Sequence, residues 1–328
     1  MSRAQLTSTV EQNTGGAVAP WVGGKNAAIN GGADIWQRGT TFTNTVGYTA
    51  DRWYQGAGNV TTTQETTLVP TGFRYSVKGT TTATSQPYWF QAIETAESQR
   101  FAGKTVTLSY YAATSDSSNV LLRLDYSTSV DNSAVGTYTS IGSSSVAATS
   151  SMPSTPQTAT FVVPSTAKTL RIVIGAAGNQ STGATTTFSG VQLEVGSVAT
   201  PFSRAGGTLQ GELALCQRYY EKSYDLTVAP GTNTGEYNGN ICSSFTLNTG
   251  IHSAYVQYKV SKRTTPTITL YDLAGSANYV SYANPGTSPT NGKNAGTSFI
   301  SQNGFWAYVN NNDNIYAFEF QYTASAEL

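Results

Sequence analysis

Apolar and polar residues alternate along most of this chain in short runs, separated by clusters of Gly, Ser, Thr, Asn and Pro. Runs at 73–77, 105–111, 120–126, 161–163 and 170–174, and again at 243–247, 254–260, 267–271, 305–309 and 315–322, predict strands, because successive side chains of a strand point to opposite faces. Near residue 190, Phe188, Val191, Leu193 and Val195 mark a buried face, with Gln192 and Glu194 on a solvated one. The spacing predicts an all-β protein. One segment departs from it: in 208–222, Leu209, Leu213, Cys216 and Tyr220 follow a 4-3-4 spacing that lays one apolar seam along a short helix. The small-residue stretch 140–151 predicts an exposed loop.

These signals divide the chain into a polar, glycine-containing arm at 1–25, a β-sandwich at 26–205, a helical linker at 206–222 and a C-terminal β-sandwich at 223–328. The arm has too little apolar content for a core, so a partner surface must order it. The linker seam, too short to be a stable helix alone, is expected to gain burial in a homotrimer around a threefold axis.

Composition sharpens the picture. Among 328 residues there are 50 Thr, 32 Gly and 20 Tyr, and only 11% are charged, 18 basic against 18 acidic. Thr and Tyr suit strands and Gly suits turns. Zero net charge without a Lys/Arg cluster argues against nucleic acid as a partner. Cys216 and Cys242 have no metal-ligand spacing and are expected as reduced, unbridged thiols. No secretion signal or membrane span is evident, so synthesis in a cytoplasm without membrane insertion is expected.

Several segments then carry a resemblance. NGGADIWQRGTTF (30–42) with YTADRW (48–53), GVQLEVGSVATPF (190–202), ELALCQRYYEK (212–222), RTTPTITLYD (263–272) and TASAEL (323–328) occur in an order that resembles virion proteins of double-stranded DNA bacteriophages: tail fibres, minor tail proteins and capsid fibres. The resemblance implies that the first sandwich is a jelly roll similar to carbohydrate-binding modules, that residues 1–25 dock on other virion proteins, and that the protein is located in the virion after assembly in the host cytoplasm. Between Phe202 and Glu212 the chain reads SRAGGTLQG, where related proteins more often carry an Arg-rich, Pro-containing linker. Without the family, Asp34, Arg38, Asp51 and Arg52, set among Ile35, Trp36, Phe42 and Trp53, are expected to form charge-assisted hydrogen bonds that pin the first strand, with both Trp residues as core anchors.

Candidate chemistry favours binding over catalysis. Glycan hydrolysis uses two carboxylates at a defined separation, whereas Glu94, Glu97, Asp116, Asp125, Glu236 and Asp313 are scattered and are expected as surface or loop groups. The single histidine, His252, has no GxSxG elbow to serve. No cofactor is expected, although Asp131–Asn132 and the Asn-rich 310–314 can offer oxygens to a structural calcium. Sugar recognition stacks rings on aromatics and binds hydroxyls through amides. The C-terminal block holds that inventory in Trp306, Tyr308, Tyr279, Tyr282 and Asn303, with a poorer set in Tyr88, Trp89 and Gln91. The expectation is a non-enzymatic tail fibre or minor tail component that attaches to a host-surface glycan. Its rivals are a capsid-decorating head fibre, a polysaccharide-degrading tailspike and a bacterial carbohydrate-binding module.

Overall fold

The computed structural model describes residues 24–328, apart from 117–118, 236–240, 245–249, 285–287, 312–314 and 316. The arm expected at 1–25 lies outside the described residues, except for Gly24 and Lys25. Among the described residues the protein is all-β with one short helix of more than a single turn. Its first strands are β1 (Thr41–Thr43), β2 (Gly47–Tyr48), β3 (Tyr54–Gln55), β4 (Val60–Glu65), β5 (Ser76–Thr81) and β6 (Tyr88–Ile93). One turn of helix, α1 (Thr95–Ser98), precedes β7 (Thr105–Thr114), β8 (Val120–Ser127), β9 (Thr139–Val146), β10 (Gln157–Val162), β11 (Thr169–Ala176) and β12 (Thr185–Val195). Helix α2 (Leu209–Gln217) leads into β13 (Tyr220–Lys222), β14 (Ile241–Ser244), β15 (Gly250–Gln257), β16 (Thr267–Tyr271) and β17 (Tyr279–Ala283). The last strands are β18 (Thr290–Asn294), β19 (Gly296–Ser298), β20 (Gly304–Asn311) and β21 (Ala317–Ser325).

The chain forms two compact units. One holds Thr43–Gly47 and Tyr54–Glu212 with the described residues up to Asp34; the other holds Ile35–Phe42, Tyr48–Trp53 and Leu213–Leu328. The segments 35–42 and 48–53, expected in the first sandwich, therefore group with the C-terminal residues.

In the first unit, one sheet runs β4-β5-β12-β7-β10 and the other β3-β6-β11-β8-β9, with antiparallel pairings throughout. Trp89 on β6 points between the sheets. Its indole packs against Phe188 of the opposite sheet at 5.3 Å between ring centroids and donates to Thr62 Oγ1 at 3.1 Å. A Cβ at Gly79 would lie 2.3 Å from Trp89 Cη2, so only glycine fits beneath the ring. Leu170, Ile172 and Ile174 on β11 and Val120, Leu122 and Leu124 on β8 are buried in the same core.

Three expectations need correction in this unit. The stretch 140–151, read as a loop, contains most of β9, because backbone pairing with β8 holds small side chains that need no core. Gln192 and Glu194, read as solvated, are buried, while Val195 is exposed. A register shift between Ser189 and Gln192, with Gly190 at φ +65°, breaks the simple alternation of β12, as a β-bulge does. The two polar side chains satisfy one another: Gln192 Nε2 donates to Glu194 Oε1 at 2.7 Å, and Glu194 accepts from Thr200 N and Oγ1. Lastly, Glu94 and Asp125, read as surface carboxylates, are buried.

The second unit is organised on β21. Residues 321–325 pair with β13 and β16, and residues 317–320 with β14 and β17. A second sheet runs β15-β20-β19, and Val256, Phe305, Val309, Phe318, Phe320 and Tyr322 form the core with Leu270 and Val280. Strands β17, β18 and β19 were not expected from the sequence, and residues 245–247 of the run expected at 243–247 lie outside the described residues.

Buried ions tie this unit together. Arg38 and Arg52 both bind the Glu327 carboxylate, and the Asp51 carboxylate accepts from Gln37 N at 2.6 Å and Gln37 Nε2 at 2.8 Å. The guanidinium carbon of Arg52 stands 3.5 Å from the Tyr219 ring centroid and that of Arg38 stands 3.7 Å from that of Tyr220. Burial alone would lower the Arg52 pKa, but the charge of Glu327 holds it well above its ordinary value. Three of the four charges read as pins thus belong to one network, while Asp34 pairs with Arg204 at 2.8 Å. Deeper still, Lys262 meets Glu221 at 2.7 Å with both side chains fully buried, and Glu221 also accepts from Tyr322 Oη and Lys259 N.

The linker seam is overturned by the same contacts. Helix α2 ends at Gln217, shorter than the expected 208–222, and Tyr220 belongs to a strand. Glu221 and the ladder to β21 pull the chain into extended backbone after Tyr219. Leu209 is exposed, Leu213 is half-buried and Cys216 is a buried thiol on α2, while Tyr220 is buried on β13, so the seam does not continue along one helix as far as Tyr220.

Two outcomes follow from these buried charges. Lys262→Met is expected to destabilise the second unit by about 3–5 kcal/mol, because it strands a buried carboxylate, and Lys262→Met with Glu221→Gln should recover most of that loss in denaturant unfolding. Glu65 receives bonds from Thr66 N, Thr67 N, Thr67 Oγ1, Leu68 N and Lys78 Nζ. Burial pushes its pKa up, but these donors outweigh burial and bring it down from 4.5 to about 2. A folded pKa below the unfolded one gives stability that is complete above the unfolded value and is lost as pH falls toward the folded value. Glu65→Gln should therefore lower Tm at neutral pH by an amount that shrinks between pH 4.5 and about 2.

Candidate functional site

The outer face of the β3-β6-β11-β8-β9 sheet carries a groove. Since Trp89 points inward, Tyr88 and Phe90 point outward. Pairing then sets the other outward positions. Phe90 lies between Tyr54 on β3 and Val173 on β11, and Val173 lies opposite Arg123 on β8. In the next row Tyr88 lies opposite Gly175, and Gly175 opposite Leu121; in the row beyond Phe90, Arg171 lies opposite Asp125. The result is a cavity of about 390 Å³ lined by Tyr54, Tyr88, Phe90, Leu121, Arg123, Arg171 and Val173, with Val46, Gly56, Gln86 and Val135.

Three rings cluster on it around Phe90. Tyr54 stacks on Phe90 at 4.9 Å and 17°, and Tyr88 stacks on Phe90 at 6.0 Å and 22°. Tyr54 and Tyr88 are only half-buried. The position of Tyr88 depends on Gly56: Tyr88 Oη donates to Gly56 O at 3.1 Å, and a Cβ there would lie 2.0 Å from Tyr88 Cε2. At the other end Arg171 is clamped. Its Nε and Nη2 donate to Asp125 Oδ2 at 3.1 and 2.8 Å and its Nη1 to Ala134 O at 3.0 Å, while its guanidinium lies against Phe90 at 5.2 Å and Tyr138 at 4.1 Å. Asp125 also pairs with Arg123, whose side chain is 35% exposed.

Of the poorer set read from the sequence, only Tyr88 faces this groove. Trp89 is core, and the Gln91 amide is occupied by the backbone of Ile29, donating to Ile29 O and accepting from Ile29 N at 2.8 Å each. Sequence reasoning missed Tyr54, Phe90, Arg123 and Arg171. The available signal was parity: Arg123 and Asp125 interrupt the apolar β8 at every second position, on the face opposite Leu122 and Leu124.

The C-terminal set is divided by the structure. Trp306 and Tyr308 lie on the outer face of the β15-β20-β19 sheet, where Tyr255 lies opposite Trp306 and Ser253 opposite Tyr308. Trp306, Tyr308 and Ser253, with Ile251, Ser298, Phe299 and Asn310, border a shallow cavity of about 600 Å³. Tyr308 and Tyr255 crowd close over glycines: a Cβ at Gly296 would lie 2.4 Å from Tyr308 Cζ, and one at Gly304 would lie 2.5 Å from Tyr255 Oη. Tyr279 and Tyr282 instead sit on β17 in the other sheet of the unit, and Asn303 lies in the turn before β20, accepting from Ser261 Oγ at 2.7 Å. His252 pairs with Val309 on the inner face.

Of the candidate calcium ligands, Asp131 Oδ1 accepts from Thr95 N at 2.8 Å and Asn132 Nδ2 donates to Thr137 O, while 312–314 lie outside the described residues. Among the described residues no group of three or more His, Cys, Asp or Glu side chains is placed to hold a metal.

No family model matches the sequence. No curated protein matches it either. Among solved structures, the chain is similar to the enzymatically active domain of tailspike protein 4 of bacteriophage CBA120, with 15% identity and a TM-score of 0.36 over 54% of this chain and 22% of that one. It is also similar to the C-terminal family 22 carbohydrate binding module of Clostridium thermocellum Xyn10B, with 19% identity and a TM-score of 0.32 over 49% of this chain and 94% of the module. A CBM4 structure is similar at 16% identity and a TM-score of 0.35, over 52% of this chain and 100% of that one.

The seat of Tyr88 can be tested on its own. Gly56→Ala should force the ring out of place and lower Tm by several degrees, an overpacking cost of about 1–3 kcal/mol. Gly58→Ala, where the nearest atom to the added Cβ is Val46 Cγ2 at 3.6 Å, should melt like the parent protein.

Proposed function

We propose that this chain is a non-catalytic glycan-binding protein that uses the groove lined by Tyr54, Tyr88 and Phe90. The observation that carries the reading is the cluster of three stacked rings on one sheet face, two of them half-buried, beside a hydrogen-bonding arginine and Gln86. Pyranose rings present apolar faces to aromatics and hydroxyls to fixed polar groups, which is the chemistry such a groove offers. Support for a binding rather than hydrolytic role comes from the lining, which contains no carboxylate, whereas glycoside hydrolysis ordinarily requires two. Asp125, just outside the lining, is already engaged by two guanidinium groups.

The segments at 30–53, 190–202, 212–222, 263–272 and 323–328 extend this reading to a virion adhesin, a tail fibre or minor tail component that residues 1–25 dock on its particle. Display in several copies, as in a homotrimer, would turn modest affinity per site into durable attachment. A second reading is favoured by one observation in the other unit: Trp306, 38% exposed, and Tyr255, 52% exposed, are neighbours at 5.7 Å on an open sheet face. That face offers a second, flatter platform for sugar rings.

Titration calorimetry of the full chain against a panel of oligosaccharides tests the assignment. Tyr88→Ala is expected to weaken binding about tenfold or more, the loss of a stacked ring worth about 1.5 kcal/mol, while Trp306→Ala leaves it unchanged. The reverse pattern would move the site to the second platform, and loss in neither variant would place it elsewhere.

A further inference from the structure

We infer that the groove selects acidic glycans, sugars bearing a carboxylate or phosphate, over neutral ones; this rests on the glycan-binding reading above. Two guanidinium groups, Arg123 and Arg171, line the cavity, and no carboxylate does. The single acid behind them, Asp125, is 2% exposed and shared by both arginines, at 2.9 Å from Arg123 and 2.8 Å from Arg171. One negative charge against two positive ones leaves the groove with one unit of positive charge in excess.

The two arginines have different duties. Arg171 commits three donors, one from each guanidinium nitrogen, to Asp125 and Ala134 O and is wedged between Phe90 and Tyr138, so it fixes the groove wall. Arg123 is held from one side only, through Nε and Nη2 toward Asp125, and keeps 35% of its side chain exposed. It lies in the same cross-strand row as Tyr54, Phe90 and Val173. A sugar seated along the rings would therefore meet a planar, permanently charged fork at the end of that row, the geometry that suits a carboxylate or phosphate and that lysine does not reproduce. A neutral sugar would leave that charge without a counter-ion from the ligand.

The test compares ligand pairs on one backbone, an acidic member and its neutralised counterpart. The full chain is titrated with an oligogalacturonate and its methyl ester, and with a phosphorylated mannan and its dephosphorylated form. The acidic member of at least one pair is expected to bind about tenfold tighter, with the advantage shrinking at high salt because the interaction is screened. Arg123→Gln should bring the two members together, and Arg123→Lys should restore only part of the difference; circular dichroism checks that both variants fold. Which pair shows the preference tells carboxylate from phosphate. Equal binding within both pairs by the unmodified chain would overturn the inference while leaving glycan binding standing. No binding to any member, or to the neutral panel, would overturn the glycan reading and this inference together. A preference lost in Trp306→Ala and kept in Arg123→Gln would also overturn it, by placing the charge recognition in the other unit.

Discussion

The candidate site depends on the orientation of one indole. Trp89 can sit between the sheets because Gly79 beneath it has no side chain and Thr62 accepts its N–H. With that residue fixed inward, the period of a strand leaves no choice for Tyr88 and Phe90, which must face outward. Each further member of the groove then follows from ladder pairing, Val173 and Arg123 in one row, Gly175 and Leu121 in another. The rings are thus held by a packed core, with their own contacts adding only the last adjustment. This is the arrangement expected of a site built on a sheet, whose positions are more exact than those of a loop.

Charge is used in opposite ways in the two units. In the second, Glu221 and Lys262 pair out of reach of water, as do Arg52 and Glu327, and Lys262 Nζ also donates to the carbonyls of Gln217 and Val260. A buried pair of this kind offsets its own desolvation rather than adding much net stability, and removing one partner is far more disruptive than removing both. In the groove of the first unit Asp125 is buried but is divided between two arginines, one of them partly open to solvent. The same ionic chemistry closes one structure and leaves a valence available in the other.

Much of the fold was legible because strands announce themselves by period. The runs at 105–111, 120–126 and 170–174 fall within β7, β8 and β11, and the composition in Thr, Tyr and Gly agrees. What escaped was whatever depended on a partner distant in sequence. Strand β9 has no apolar face of its own and exists through its pairing with β8. The end of α2 is set by Glu221 meeting Lys262, 41 positions later, which no local seam could reveal. The same holds for the site: Tyr54, Phe90, Arg123 and Arg171 come from four strands, and only the register brings them together. Trp306 and Tyr308 were legible as a pair because they are two residues apart on one strand, whereas Tyr279 and Tyr282, close to them in composition, belong to another sheet.

The glycines under Tyr255 and Tyr308 carry a consequence for how this surface can change over generations. A side chain at Gly296 or Gly304 and the ring above it would claim the same space. The constraint runs one way: the glycine cannot be filled while the ring is kept, but the ring can be lost over an unchanged glycine, and at Gly304 the carbonyl of Val256, 2.4 Å from an added Cβ, bars a side chain whatever stands at 255. In descendants, loss of Tyr308 would have to precede any filling of Gly296, and a lineage that has filled that hollow could regain the ring only by first reopening it.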